Sequence, residues 1–339
     1  MALRFSVAPP SFAKAPADFV VIGLGDNPVL DTPLKDFDST LGGQLQRAIE
    51  SRQFRGARDE LLYLTGGNGA RVLLTGIGAA ADRGAALRRA ASIAARQAGK
   101  LGASVIAFYG GDTGPHEIES IVVGATAGSW SYRELKSPTP ENEKRPELEH
   151  IIVITSDNQA ASAVAAGEAI GAGHSLARRL AMMPGNICTP DYLLQTANDI
   201  GSRHGMTVSA LGRAEMEAQG MGSFLAVAQA TPQDPKLITI EYKGAGDDSQ
   251  PVVLIGKGLC FDSGGISIKP AAGMEHMKFD MCGAAGVLGA MEVIGRLKLR
   301  INVVGMIGAT TNMPSGTAMN PRDGGSSHFG KTIETINTD

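Results

Sequence analysis

Short apolar runs alternate with longer segments of helical spacing along the first half of the chain. The runs at 19–24 (FVVIGL), 71–76 (RVLLTG), 103–109 and 150–155 predict buried strands. Segments 45–54 and 83–101 have helical spacing, and 121–127 fits either a strand or a helix end. Strands that alternate with helices in this way indicate an α/β domain around a mostly parallel sheet.

A polar stretch at 131–149, which contains three prolines, predicts an exposed crossing between two units. The segment that follows, 158–182, is rich in alanine and predicts a long connecting helix. We therefore divide the chain into an N-terminal α/β domain at 1–155, a connecting helix at 156–182 and a second α/β domain at 183–339.

The second domain repeats the alternation of strands and helices, which makes the whole chain a two-domain α/β protein. Its predicted helices are 190–204, 214–220 and 283–297. Its predicted strands are 207–211, 236–242, 252–256, 301–307 and 333–336, with a hydrophilic turn at 247–250.

Composition narrows the class of protein. Apolar residues make up 43% and charged residues 19% of the chain, which is typical of a globular protein. A net charge of −3 without a basic stretch does not indicate a nucleic-acid surface, and no apolar run approaches a membrane span. Cys188, Cys260 and Cys282 form no disulfide framework, so we expect a reducing compartment, the cytoplasm.

The chemically informative stretch begins at the strand 252–256. Lys257 follows directly, inside apolar sequence, and its flanks predict burial. A buried amine must be paired or lose its proton, and a neutral amine can bind a metal. Asp262 comes five positions later, where open α/β sheets bind ligands at the carboxyl ends of their strands. Taken alone, the two residues also fit a snorkelling lysine and a turn aspartate.

Three more charged residues extend this group. Lys269 by itself fits an ordinary loop lysine, and Asp280 fits a carboxylate that caps the helix 283–297. Asp339 follows the strand-like segment 333–336, although it also fits a frayed terminus. If the strand assignments hold, Asp262, Asp280 and Asp339 gather at one sheet edge beside a buried lysine. Carboxylate clusters without histidine or cysteine pairs favour Mg²⁺, Mn²⁺ or Zn²⁺ in a hydrolytic site.

The spacing and wording of these segments resemble the catalytic core of the leucyl aminopeptidase family, also called the cytosol aminopeptidase family. The resemblance covers about 171–339 and rests on GKGLCFDSGGISIKP (256–270), MKFDMCGAAGV (277–287), NMPSG (312–316) and GKTIETINTD (330–339). PGNICTPDYL (184–193) and MGSFLAVAQATPQDPKLITIEY (221–242) resemble the segments that precede the core in that family. The N-terminal domain fits the variable first domain of the family in kind.

The resemblance implies a two-metal exopeptidase. Lys257, Asp262, Asp280 and Asp339 would be metal ligands, with Asp262 bridging two divalent ions, for which Mn²⁺ and Zn²⁺ are the candidates and Mg²⁺ a third. The substrates would be peptides with a free N-terminus, whose α-amine binds one metal. The family assembles as a hexamer, so a homo-hexamer is the expected partner arrangement.

The resemblance also implies substrate contacts. Lys269 would polarise the scissile carbonyl and stabilise the oxyanion, an electrostatic role suited to a fixed cation. Met277 would line the pocket for the first side chain and favour Leu and other apolar residues. Asn337 would contact the bound peptide.

The closing motif of the family reads Asn-Thr-Asp-Ala-Glu-Gly-Arg, and this sequence supplies Asn337, Thr338 and Asp339 of it. The Glu is a ligand shared by both metals and the Arg lies at the catalytic centre, so we expect these 339 residues to be inactive alone. A second hypothesis is a non-catalytic fragment with a binding or assembly role. A third is a nucleotide- or ADP-ribose-binding module, suggested only by the glycines in GLG (23–25) and TGIG (75–78).

Overall fold

The structure is a computed structural model that describes residues 3–67, 69–79, 81–144, 146–246 and 249–339. The chain forms two compact units, Met1–Gly171 and Ala172–Asp339. The boundary between them falls inside one long helix, so the predicted long helix at 158–182 exists and contributes to both units. The predicted turn at 247–250 begins on residues 247 and 248, which lie outside the described residues.

In the first unit, strands and helices follow one another in the predicted alternation. The strands are β1 (Arg4–Ala8), β2 (Phe19–Leu24), β3 (Leu61–Thr65), β4 (Arg71–Gly76), β5 (Val105–Tyr109) and β6 (His150–Ile154). The helices are α1 (Thr32–Thr40), α2 (Gln44–Glu50), α3 (Arg83–Lys100) and α4 (Pro115–Ser129), followed by α5 (Ala160–Met182), which enters the second unit.

The described strands of the first unit form one six-stranded sheet in the order β1-β6-β5-β2-β4-β3. All neighbouring strands are parallel except β3, which runs antiparallel to β4 at one edge. The prediction of a mostly parallel sheet is therefore confirmed. Such a sheet must be covered on both faces, because its strands are apolar on both sides.

Two apolar cores provide that cover. One face of the sheet packs against α3, α4 and the first turns of α5, through residues such as Val21, Leu87 and Ile121. The opposite face packs against α1 and α2, through residues such as Ile22, Leu34 and Leu45. The alternation of Val21 and Ile22 between the two cores is the period of two that a strand imposes on its side chains.

The second unit contains a mixed sheet and several helices. The helices are α6 (Pro190–His204), α7 (Arg213–Ala218), α8 (Gly222–Ala228) and α9 (Cys282–Leu297). The strands are β7 (Thr207–Leu211), β8 (Lys236–Lys243), β9 (Val252–Asp262), β10 (Asn302–Asn312), β11 (Gly324–Ser326) and β12 (Thr332–Glu334).

Within the described part of this unit, β7-β8-β10-β9 form a four-stranded sheet with β9 at its edge. β8 is antiparallel to β7 and β10, whereas β9 and β10 are parallel and are joined through α9. α9 approaches β9 closely, because a Cβ on Gly256 would lie 2.6 Å from the carbonyl oxygen of Gly283. The two small strands β11 and β12 pair with each other in a separate antiparallel sheet.

Several element predictions need correction. For the segment 121–127, which fitted a strand or a helix end, the helix alternative is confirmed, because the segment lies in α4. The predicted helix 45–54 ends earlier, because Arg52 adopts a positive φ of 58°. Phe54, which extended the helical spacing, is a buried core residue of the loop that follows. The pattern gave no sign of β1, β3, α1 or α8. No helix in the described residues is long and apolar enough to cross a membrane.

Candidate metal centre

A cavity of about 550 Å³ lies on the face of the second sheet that carries α8. Its walls come from α8, from β9 and β10, and from the segment 319–339. The residues of these elements that line it include Val227, Lys257, Leu259, Asp262, Gly308, Asn312, Asn337, Thr338 and Asp339. The carboxyl end of β9 and the last residues of the chain therefore meet in one cavity.

Lys269 joins two of the predicted carboxylates. Its Nζ lies 3.5 Å from Oδ2 of Asp262 and forms a hydrogen bond with Oδ1 of Asp339. Asp262 is buried at the end of β9, where the sequence places it. Two carboxylates thus share one ammonium group, so the partly buried charges are paired.

Lys257 and Asp280 form a second pair at the same cavity, with 2.9 Å between Nζ and Oδ2. The predicted burial of Lys257 is wrong, because 61% of its side chain is exposed. Lys257 lies in the middle of β9, an edge strand, on the face opposite α9. The capping alternative for Asp280 is also wrong, because the N-cap residue of α9 is Met281.

Asp339 reaches the site by a route other than the predicted one. The strand before it, β12, belongs to the small separate sheet and not to the edge where β9 ends. Thr338 instead anchors the segment: its Oγ1 donates to the carbonyl of Gly264 and accepts from the amide of Ser267, both at 2.8 Å. The loop after β9, which carries Lys269, is therefore tied directly to the residue before Asp339.

Asn312 is a residue of the site to which sequence reasoning gave no role. Its Nδ2 donates to Oδ1 of Asp262 and to the carbonyl oxygen of Thr338, each at 2.9 Å. Asn312 is the first residue of NMPSG, one of the segments that carry the family resemblance. Its contact with Asp262, however, depends on the pairing of β10 with β9. A register irregularity between Thr310 and Asn312 places Asn312 beside Asp262.

The remaining predicted residues lie around this core. Asn337 lines the cavity, and its Oδ1 accepts a hydrogen bond from the amide of Asp339 at 3.0 Å. Met277 lies in a 3₁₀ helix, Met274–Phe279, and is not among the described residues that line the cavity. Burial and the charge of Asp280 raise the pKa of the Cys282 thiol, which disfavours the thiolate form that metals bind.

The donor set fits a hard divalent cation in part. The ammonium of Lys269 lies between Asp262 and Asp339, so a cation already occupies the space between these two carboxylates. Carboxylate oxygens are the ligands that hard divalent cations prefer. In the part of the chain that the structure describes, however, no three His, Cys, Asp or Glu side chains are grouped closely enough to hold a metal ion. Asp262 and Asp339 share Lys269, whereas Asp280 is held at Lys257, so the three carboxylates do not form one cluster.

Family models match both units. The catalytic domain of the cytosol aminopeptidase family matches residues 175–339, and the N-terminal domain of the same family matches residues 21–139. The chain belongs to the cytosol aminopeptidase family. The family consists of metal-dependent exopeptidases, and the match to its N-terminal model gives the first unit a family assignment that the motifs alone did not provide.

Curated relatives agree with this assignment. A probable cytosol aminopeptidase of Alkalilimnicola ehrlichii is 37% identical over 334 residues, covering 94% of this chain and 67% of the relative. A probable cytosol aminopeptidase of Thioalkalivibrio sulfidiphilus is 38% identical over 352 residues, covering 99% of this chain and 71% of the relative. The chain thus spans about two thirds of the length of these relatives.

Solved structures show the same fold. A mutant of tomato leucine aminopeptidase superimposes with a TM-score of 0.86 at 28% identity, covering 99% of this chain and 68% of that one. The bottromycin maturation enzyme BotP, in complex with Mn, gives a TM-score of 0.79 at 27% identity, covering 95% of this chain and 66% of that one. The two-domain α/β fold expected from the sequence is confirmed.

The glycine-rich segments of the first unit line a different cavity, of about 720 Å³, at the carboxyl ends of β2, β4 and β5. Asp26 and Asp31 contribute negative charge to it, and Arg83 donates to the carbonyls of Asp112 and Gly110. Asp82 caps the adjacent helix α3 through a bond to the amide of Ala85. This acidic lining does not favour a phosphate, which weakens the nucleotide hypothesis.

Proposed function

We propose that the second unit carries the active site of an aminopeptidase, which removes N-terminal residues, preferably Leu and other apolar ones, from peptides. The observation that supports this most directly is that Asp262 and Asp339 line one cavity and share the ammonium group of Lys269. These residues lie in the segment that matches the family's catalytic domain. Peptides with a free N-terminus are the substrates that such a site would accept.

Lys257, Asp262, Asp280 and Asp339 are the proposed ligands of two divalent metal ions, with Asp262 shared between them. Mn²⁺ and Zn²⁺ are the candidates, with Mg²⁺ as a third, and the Mn complex of the structural neighbour BotP supports manganese. Bound metal would supply Lewis-acid activation of the attacking water and of the scissile carbonyl. The chain itself contributes oxygen ligands positioned at the end of β9 and after Thr338.

Lys269 is the proposed catalytic residue. Its ammonium group contacts Asp262 and Asp339, which line the cavity, and is largely shielded, since 20% of the side chain is exposed. A fixed cation in such a site stabilises negative charge that develops on the substrate's carbonyl oxygen. Asn337 lines the same cavity and is proposed to contact the peptide. Met277 is not among the described residues that line the cavity, and it is proposed to favour an apolar side chain on the first residue of the substrate.

The assembly and location of the protein are part of the proposal. We expect a homo-hexamer, the arrangement that the family resemblance implies, and a cytoplasmic location, in keeping with the relatives described as cytosol aminopeptidases. We also expect these 339 residues alone to hydrolyse peptides poorly, because the Glu and Arg of the family's closing motif are not among them.

The test combines metal binding with hydrolysis. The purified 339-residue chain is titrated calorimetrically with Mn²⁺ and Zn²⁺, and hydrolysis of a leucyl amide is followed with each metal and with a chelator. Asp262→Asn should weaken metal binding, and Lys269→Met should leave measurable binding, because an oxyanion-stabilising cation is not a ligand. Lys136→Met, an exposed lysine of the first unit, is the matched control.

The second arm extends the chain by a C-terminal segment that completes the family's closing motif, beginning Ala-Glu-Gly-Arg. Chelator-sensitive hydrolysis that appears on extension and is abolished by Lys269→Met supports the proposed activity. Hydrolysis by the 339 residues at the rate of a longer relative would contradict the expected inactivity. Absence of metal binding by folded protein would contradict the proposed metal centre.

A further inference from the structure

The amide group of Asn312 sits between two parts of the candidate metal centre that are far apart in sequence. Nδ2 carries two protons, so it can donate to Oδ1 of Asp262 and to the carbonyl oxygen of Thr338 at the same time, each at 2.9 Å. Both acceptors lack a proton of their own, because one belongs to a carboxylate and the other to a peptide group. The donor end of the amide must therefore be the end that faces them.

The position of Asn312 is itself fixed by the backbone. Its carbonyl oxygen accepts from the amide of Ser263 at 2.9 Å and from the hydroxyl of the same residue at 2.8 Å. Its Oδ1 faces Gly265, which has a φ of +67°. A Cβ on Gly265 would lie 2.7 Å from this Oδ1, so only a glycine leaves room for the amide. Asn312 is thus held at the end of β10 on both its main chain and its side chain.

This arrangement determines which oxygen of Asp262 faces the cavity. Oδ1 accepts from Nδ2 of Asn312 and from the amide of Gly264, both at 2.9 Å, which uses both of its lone pairs. Oδ2 is the oxygen that lies near Nζ of Lys269, at 3.5 Å. Oδ2 is therefore the oxygen of Asp262 that would be left to hold a metal ion, and the rotamer that presents Oδ2 is the one that Asn312 holds.

The second hydrogen bond of the amide, to the carbonyl oxygen of Thr338, fixes the backbone directly before Asp339. Thr338 is buried, and Asn312 holds its carbonyl while Ser267 and Gly264 hold its hydroxyl. The residue that follows is then directed towards Lys269. One side chain consequently sets the positions of two proposed metal ligands, one on β9 and one at the end of the chain.

We propose that Asn312 is a positioning residue of the metal centre, which orients Asp262 and Asp339 through the two protons of its amide. The inference rests on the proposed function, because it concerns ligands of the proposed metal ions. Partners that orient metal ligands in this way typically change metal affinity by about 10- to 100-fold when they are removed.

The experiment measures the Mn²⁺ dissociation constant of the 339-residue chain by calorimetry, together with the electron paramagnetic resonance spectrum of the bound ion. Asn312→Leu removes both donors and keeps the size of the side chain. Asn312→Ala removes both donors with a smaller side chain, and serves if the leucine variant does not fold. Thr311→Val is the matched control, because Thr311 is the preceding buried residue of β10 and its hydroxyl has no hydrogen-bond partner among the described residues.

All titrations are made well below the thermal unfolding midpoint of each variant, so that a loss of folded protein does not imitate a loss of affinity. We expect both Asn312 variants to bind Mn²⁺ about tenfold or more weakly and to alter the spectrum at saturation. We expect Thr311→Val to match the unsubstituted chain in both respects.

Each result decides the question. Unchanged affinity in the Asn312 variants, or equal losses in those variants and in Thr311→Val, would overturn the positioning role and leave the proposed function standing. Failure of the unsubstituted, folded chain to bind Mn²⁺ would overturn the metal centre, and the positioning role with it.

Discussion

Glu292 shows how a single carboxylate can be stabilised inside the second unit. Only 4% of its side chain is exposed, and it accepts hydrogen bonds from Arg203, His204 and Arg296 at 2.8, 3.1 and 2.7 Å. Burial by itself would raise the pKa of this carboxyl, but the bonds from the three basic side chains outweigh it. The pKa of Glu292 therefore lies below its ordinary value.

The lowered pKa leads to a pH-dependent prediction. A group whose pKa falls on folding stabilises the folded chain above its unfolded pKa, about 4.3, and loses that contribution as the pH falls through the folded value. We expect Glu292→Gln to lower the free energy of unfolding by about 1–3 kcal/mol at pH 7. The difference between the two proteins should shrink below about pH 4.

Urea unfolding at pH 7 and at a series of acidic pH values measures this difference. Glu217→Gln, which changes an exposed glutamate of α7, is the control and should leave stability nearly unchanged. A constant difference between the Glu292 variant and the unsubstituted chain down to acidic pH would show that the carboxylate's charge is not responsible.

The candidate site was predictable in composition but not in geometry. Lys257, Asp262, Lys269 and Asp280 could be selected because their spacing matches a known family, but the burial assigned to Lys257 assumed a central strand. Whether a strand is central or at an edge depends on pairing partners that are distant in sequence. The role of Asn312 depends on a register irregularity, which no local pattern reports.

At the scale of elements, glycines decide how closely helices of the first unit approach one another. A Cβ on Gly124 of α4 would lie 2.0 Å from the carbonyl oxygen of Arg88 on α3, and one on Gly128 would lie 2.1 Å from that of Ser92. These distances are far below van der Waals contact and involve backbone atoms, so the two helices would have to separate. The small residues of α3 and α4 therefore set the interhelical distance.

We expect Gly124→Ala to lower the free energy of unfolding by about 1–3 kcal/mol, because overpacking forces the backbone to shift. Gly99→Ala is the matched control on α3, because a Cβ there would meet nothing within 4 Å. That substitution should stabilise the helix by up to about 1 kcal/mol, since alanine has the higher helix propensity. Thermal or urea unfolding distinguishes the opposite signs, and equal losses in both variants would contradict the packing argument.

Elements with a strong internal pattern were predicted well, and those defined by their neighbours were not. β2, β4 and α3 carry clear apolar runs or long helical spacing, and the structure confirms them. β1 and β3 alternate weakly and lie at the two edges of the sheet, so their strand state comes from pairing with β6 and β4. α1 begins after Asp31, whose side chain accepts a hydrogen bond from the amide of Leu34, and such a cap does not appear in the apolar pattern.

At the scale of the whole molecule, the sheet of the second unit ends in an exposed apolar edge. β9 is paired on one side with β10, and Val253 and Ile255 are 49% and 79% exposed on the face opposite α9. An edge strand offers unpaired backbone groups to any other strand, and exposed apolar side chains add affinity without specificity. From this combination we expect the 339-residue chain to associate with itself and to be poorly soluble.

The expectation can be tested by adding charge to the edge. Val253→Lys combined with Ile255→Lys should shift the chain towards monomer in analytical ultracentrifugation, because a charged edge strand resists pairing with a second copy. Val29→Lys in the first unit is the control, because Val29 is 82% exposed but lies in a loop and not in a strand. If the control reduces association as much as the double variant, general solubility and not the β9 edge is the cause. If neither changes it, the copies associate through another surface, and the exposure of Val253 and Ile255 does not limit the solubility of the chain.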